Sequence, residues 1–122
     1  MTTIKSYTDI EQSRKLAEFL PIESADMGLY YNSNPNAARN QMWAGTKAEN
    51  ADIPCWSLAA LLSILPETIT SNEGIAFKLN IKKNIIEYSN PSLYLIYKSV
   101  KSDNPVDACY EMILKLHKLK VL

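Results

Sequence analysis

At 122 residues, 47% of them hydrophobic and 21% charged, the chain has the composition of a folded domain with one core, which argues against a disordered segment or a disulfide-stapled mini-protein. Thirteen Lys and Arg balance thirteen Asp and Glu, so no global field draws the domain to nucleic acid or to an anionic membrane. One histidine, two distant cysteines and three glycines supply neither a zinc-ligand cluster nor a glycine-rich phosphate loop.

Residues 1–8 carry one lysine and no apolar stretch, which predicts no secretory signal and a cytoplasmic protein with reduced cysteines. A helix is predicted over residues 8–20. Thr8 and Glu11 have capping-box spacing, Ile10, Ser13, Leu16, Ala17 and Leu20 form one stripe, and Pro21 stops the helix. The second half of the stretch from Glu23 to Tyr31 reads as a short strand. Residues 32–52 are rich in Asn and Ala; Asn34-Pro35 suits the start of a brief helix carrying Met42 and Trp43, and a surface excursion fits equally well.

The run Ile53-Pro54-Cys55-Trp56-Ser57-Leu58-Ala59-Ala60-Leu61-Leu62-Ser63-Ile64-Leu65-Pro66 is nearly all apolar, and predicts a helix buried in the fold. It is too short for a bilayer, which takes ~20 residues, so no membrane contact is expected. Ser71-Asn72-Glu73-Gly74 is turn chemistry. Ile75, Phe77, Leu79 and Ile81 then alternate with polar residues as a half-buried strand. Lys82-Lys83-Asn84 turns the chain, Ile85 to Tyr88 resumes a short strand, and Ser89-Asn90-Pro91 turns it again. Leu93-Tyr94-Leu95-Ile96-Tyr97 is apolar on both faces, which predicts an interior strand of an antiparallel meander.

The last helix is predicted over residues 105–120, with Asn104 as N-cap, Pro105 at the first helical position, and Val106, Cys109, Ile113, Leu116 and Leu119 on the buried face. The sum is a single α+β domain over residues 1–122. Its expected form has two layers, about three helices packed on an antiparallel sheet of three or four strands.

Four segments together suggest a family: Tyr7-Thr8-Asp9-Ile10-Glu11-Gln12-Ser13; Glu23-Ser24-Ala25-Asp26-Met27; Ile53-Pro54-Cys55-Trp56-Ser57-Leu58-Ala59-Ala60-Leu61-Leu62; and Asp103-Asn104-Pro105-Val106-Asp107-Ala108-Cys109. The combination resembles a family of short uncharacterised proteins from anaerobic gut and oral bacteria and their phages or mobile elements. The resemblance covers most of the chain, with residues 32–52 and the meander least alike. It implies a bacterial intracellular accessory protein and assigns no activity.

Cys55, placed in the first turn of a helix, would have the dipole that lowers a thiol pKa, and His117 is the one histidine available as its base. The apolar surroundings of Cys55 favour a core residue, so no catalytic residue, cofactor or metal is expected. Tyr30, Tyr31 and Trp43 flank the polar excursion and form the expected recognition surface, because aromatics with polar tips favour interfaces. The leading reading is binding, to a protein partner or to a second copy as a homodimer. An alternative is a small-molecule or enzymatic pocket near Asp26 and the start of the Cys55 helix. A second alternative is single-strand nucleic acid, held by Lys78, Lys82, Lys83, Lys98 and Lys101 among the tyrosines.

Overall fold

The computed structural model describes residues 5–31, 42–46 and 51–122. Among these residues the fold is α+β, with three α-helices and two antiparallel sheets of three and four strands where the sequence predicts one sheet. Contacts divide the chain into two compact units. One is Ser6–Leu61, and the other is Leu62–Leu122 together with Lys5.

In the first unit, helix α1 spans Ile10–Ala17 and its N-cap is Asp9, one residue later than predicted. The Asp9 carboxylate accepts the Gln12 N–H at 2.8 Å, and Gln12 Oε1 accepts the Asp9 N–H at 3.1 Å, which completes a capping box. Thr8 is unavailable as a cap because it is fully buried. Its hydroxyl accepts the Trp56 N–H at 3.1 Å and pairs with the Ser13 hydroxyl at 2.8 Å. Ser13 and Leu16 are the buried residues of this helix.

Strands β1 (Met27–Tyr31), β2 (Met42–Gly45) and β3 (Ile53–Cys55) form a sheet in the order β2-β1-β3. Side chains alternate between faces, and one face is apolar. Leu29, Ile53 and Cys55 are buried there, with Met27, Ala44 and Ile10 of α1 packed against them. Two predictions are corrected. Met42 and Trp43 lie on a strand and not on a brief helix; Asn34 and Pro35 lie outside the described residues. Ile53–Cys55 is a strand and not the start of the buried helix, because Pro54 biases Ile53 toward extended backbone. A proline, lacking an N–H, is tolerated on an edge strand such as β3.

Helix α2 (Leu58–Ile64) therefore starts later than predicted. Ser57 caps it, its Oγ accepting the Ala60 N–H at 3.2 Å. Ala60 and Leu61 are its buried residues, whereas Ala59 and Ser63 are exposed.

The second unit holds β4 (Thr68–Thr70), β5 (Ala76–Lys82), β6 (Ile85–Asn90) and β7 (Leu95–Lys101), paired in sequence order as the predicted meander with β4 added. Gly74, at φ +83°, supplies the left-handed residue of the turn before β5, and Asn84, at φ 73°, does so between β5 and β6. Strand β6 is buried through Ile86, Glu87, Tyr88 and Ser89 and runs past the predicted turn to Asn90. The Tyr88 hydroxyl donates to the Pro66 carbonyl at 2.7 Å.

Helix α3 (Pro105–Lys118) begins as predicted. The Asn104 side chain accepts the Val106 and Asp107 N–H groups at 2.9 and 3.4 Å, and Pro105 follows it directly. Lys5 pairs with Asp107 at 2.9 Å in the first turn. Val106, Cys109, Met112, Ile113 and Leu116 are buried on the face that meets β6 and β7, while Leu119 is exposed. The predicted interior strand around Leu95 is an edge strand, since among the described residues β7 pairs with β6 alone. No helix among the described residues is long and apolar enough to cross a membrane.

Replacing Thr8 by Val keeps its shape and leaves the buried Trp56 N–H without an acceptor. A loss of about 1–3 kcal/mol is expected, read from the urea midpoint. An unchanged midpoint would show that this hydroxyl carries no stability.

Candidate functional site

The face of the three-stranded sheet opposite its apolar face carries two of the three aromatic residues singled out in the sequence, Tyr30 and Trp43, and the alternation of the strand does not bring Tyr31 to it. Tyr30 on β1 lies directly opposite Trp43 on β2. Their rings stack with centroids 4.3 Å apart and planes 17° from parallel. Cross-strand aromatic pairs of this kind add about 0.5–1.5 kcal/mol beyond the area they bury. Trp43 remains 55% exposed, so the stack presents a broad indole to solvent.

Gly45 lies two residues beyond Trp43 on the same face, directly opposite Gly28. A Cβ at Gly45 would stand 2.9 Å from Trp43 Cζ3 and 3.0 Å from Tyr30 Cε2. Both rings thus settle into the space that the missing side chain leaves. Gly45 is a site residue that the sequence reading missed; its signal is the two-residue spacing from Trp43 on an alternating strand. Tyr31 pairs with Met42 in the adjacent backbone register.

Asp26 stands at the other end of β1, four residues from Tyr30, which on an extended chain is about 13 Å. Its carboxylate accepts the Ser57 N–H at 2.9 Å and the Ser57 hydroxyl in a short hydrogen bond. Asp26 therefore orients the cap of α2, and the structure does not bring it together with Tyr30 and Trp43. Beside it, the Trp56 indole N–H donates to Ser24 Oγ at 2.9 Å, and Ser24 donates to the Pro21 carbonyl at 2.6 Å.

Cys55 lies on β3 ahead of α2, so the helix dipole that would activate its thiol is not applied through a first-turn position. Burial, reinforced by the nearby Asp26 carboxylate, pushes the thiol up to about 12. Burial likewise raises Cys109 to about 11, and both cysteines are free. His117 sits in the last turn of α3, with Nδ1 3.1 Å from the Leu122 carbonyl. No group of three or more His, Cys, Asp or Glu side chains among the described residues is arranged to hold a metal ion.

No protein-family model, curated protein or solved structure matches this chain.

The raised thiol pKa values have a definite sign. An unfolded thiol ionises near 9.0 while folded Cys55 keeps its proton to about 12. The stability linked to that proton is complete below pH 9 and is lost as the pH rises toward 12. Urea midpoints should fall across this interval, with a shallower fall for Cys55→Ala. At neutral pH a thiol-reactive probe should label Cys55 only on unfolding, and rapid labelling of the native protein would contradict its burial.

Proposed function

We propose that this protein is a small cytoplasmic accessory protein of bacterial origin that acts by binding, with the Tyr30–Trp43 stack as its recognition surface. The observation that carries the reading is the exposed indole of Trp43, already stacked on Tyr30 over Gly45. A stacked pair loses little conformational freedom when a partner covers it, which makes such aromatics efficient interface anchors. The partner is a polypeptide, and a second copy of this chain is one form that it takes. The family resemblance supports the bacterial setting. An enzymatic reading built on Cys55 has less behind it, because a buried, protonated thiol is a poor nucleophile.

Crosslinking in living cells followed by native mass spectrometry tests the proposal. Wild-type protein is expected to carry an added polypeptide mass. Trp43→Ala, and Gly45→Ala, which displaces the rings while keeping them, should each reduce that species about tenfold, while the thermal midpoint falls only by about the few degrees that loss of the stack accounts for and the protein stays folded. Equal capture by wild type and both variants would reject the surface, and an added oligonucleotide or small-molecule mass would reject a polypeptide partner.

A further inference from the structure

The edge of the four-stranded sheet has a composition that its position does not explain. Leu93, Tyr94, Leu95 and Ile96 are all exposed, Tyr94 by 94% and Ile96 by 62%, although their sequence is that of an interior strand. The chain holds them outward at a conformational cost. Tyr94 is left-handed at φ 56°, closing the 3₁₀ turn Pro91–Leu93, whose start Asn90 caps by accepting the Leu93 N–H at 3.1 Å. A bulky residue seldom adopts this region, and such outliers concentrate at binding sites.

From Leu95 onward, β7 pairs among the described residues with β6 alone, which leaves its other row of backbone groups without a strand partner there. The register slips between Tyr88 and Ser89, leaving Tyr97 as an extra residue whose ring packs on Phe77 with centroids 5.2 Å apart. Beside it opens a cavity of about 570 Å³ lined by the apolar Ile69, Phe77, Leu95 and Leu119 and by polar residues that include Asn72 and Glu73. Past the bulge come Lys98 and Lys101, which form no ion pair among the described residues. One edge thus carries an apolar corner with a cavity at its start and two uncompensated positive charges at its end.

We infer that β7 is a docking edge for an extended segment of a partner polypeptide that adds as an antiparallel strand. That segment is acidic in its first half, opposite Lys101 and Lys98, and apolar in its second half, opposite Ile96 and Leu95, where one side chain enters the cavity. Backbone hydrogen bonds supply affinity in this mode, and pockets and charges supply the choice of partner. Charge decides against a second copy. Self-pairing of β7 gathers four lysines on one short edge with no carboxylate in either strand. This docking edge belongs to the unit Leu62–Leu122, whereas the aromatic stack belongs to Ser6–Leu61, so either can hold without the other.

The test uses two blocked peptides, Glu-Thr-Thr-Glu-Val-Leu-Val, whose first and fourth residues fall opposite Lys101 and Lys98, and the same peptide with Lys in place of Glu, added to the ¹⁵N-labelled full-length protein. The acidic peptide should shift the amides of residues 95–101 and slow their hydrogen exchange, and the lysine peptide should bind about tenfold more weakly. Charge reversal by Lys98→Glu and Lys101→Glu should invert that preference. Equal binding of the two peptides, or none at millimolar concentration, would overturn the inference. So would concentration-dependent dimerisation that perturbs the same amides, or an oligothymidylate that displaces the acidic peptide.

Discussion

The first unit depends on the burial of Trp56. An indole with no exposure is worth its apolar area only if its N–H, its backbone N–H and its carbonyl all find partners, since each orphan costs about 1–3 kcal/mol. All three do. The backbone N–H meets Thr8 Oγ1, the carbonyl accepts the Thr8 N–H at 2.9 Å, and the indole N–H meets Ser24. These three bonds tie the segment before α1 and the turn before β1 to the junction between β3 and α2. Asp26 adds a fourth tie through Ser57. The placement of β1, and with it of Tyr30, follows from this knot.

From that placement the polarity of the small sheet follows. Met27 and Leu29 point to the core, so Tyr30 points away from it, and a partner strand in register must set Trp43 against it. The proposed recognition surface is the outward half of an alternation whose inward half is fixed by packing. Asp26 shares the strand's neighbourhood but spends its carboxylate on the cap of α2, and that separates it from the aromatic pair.

Where apolar periodicity and capping agreed, the fold was legible in the sequence. Asn104-Pro105 announces α3, and Gly74 announces its turn. The errors arose where a local signal had a long-range competitor. Thr8 has the spacing of an N-cap, but its hydroxyl is claimed by Trp56, 48 residues away. Ile53 and Cys55 look helical in an apolar run until Pro54 and pairing with β1 make them a strand. Leu93 to Tyr97 reads as buried because composition reports what a strand can cover and not whether a neighbour is present. Of the site, the aromatic residues were visible in the sequence, while the Gly45 floor and the register that stacks the rings were not, because both depend on pairing across a segment without apolar rhythm.

The other boundary of the four-stranded sheet bears on stoichiometry. Strand β4 is only Thr68–Thr70, three residues with one buried side chain between two exposed threonines. So short a strand offers too few backbone groups to nucleate a ladder, whereas a sheet grows without limit only when both of its margins accept a neighbour. With the β4 margin blunt, the addition proposed at β7 closes after a single event. The complex proposed for this unit is thereby finite, one to one, and not a filament.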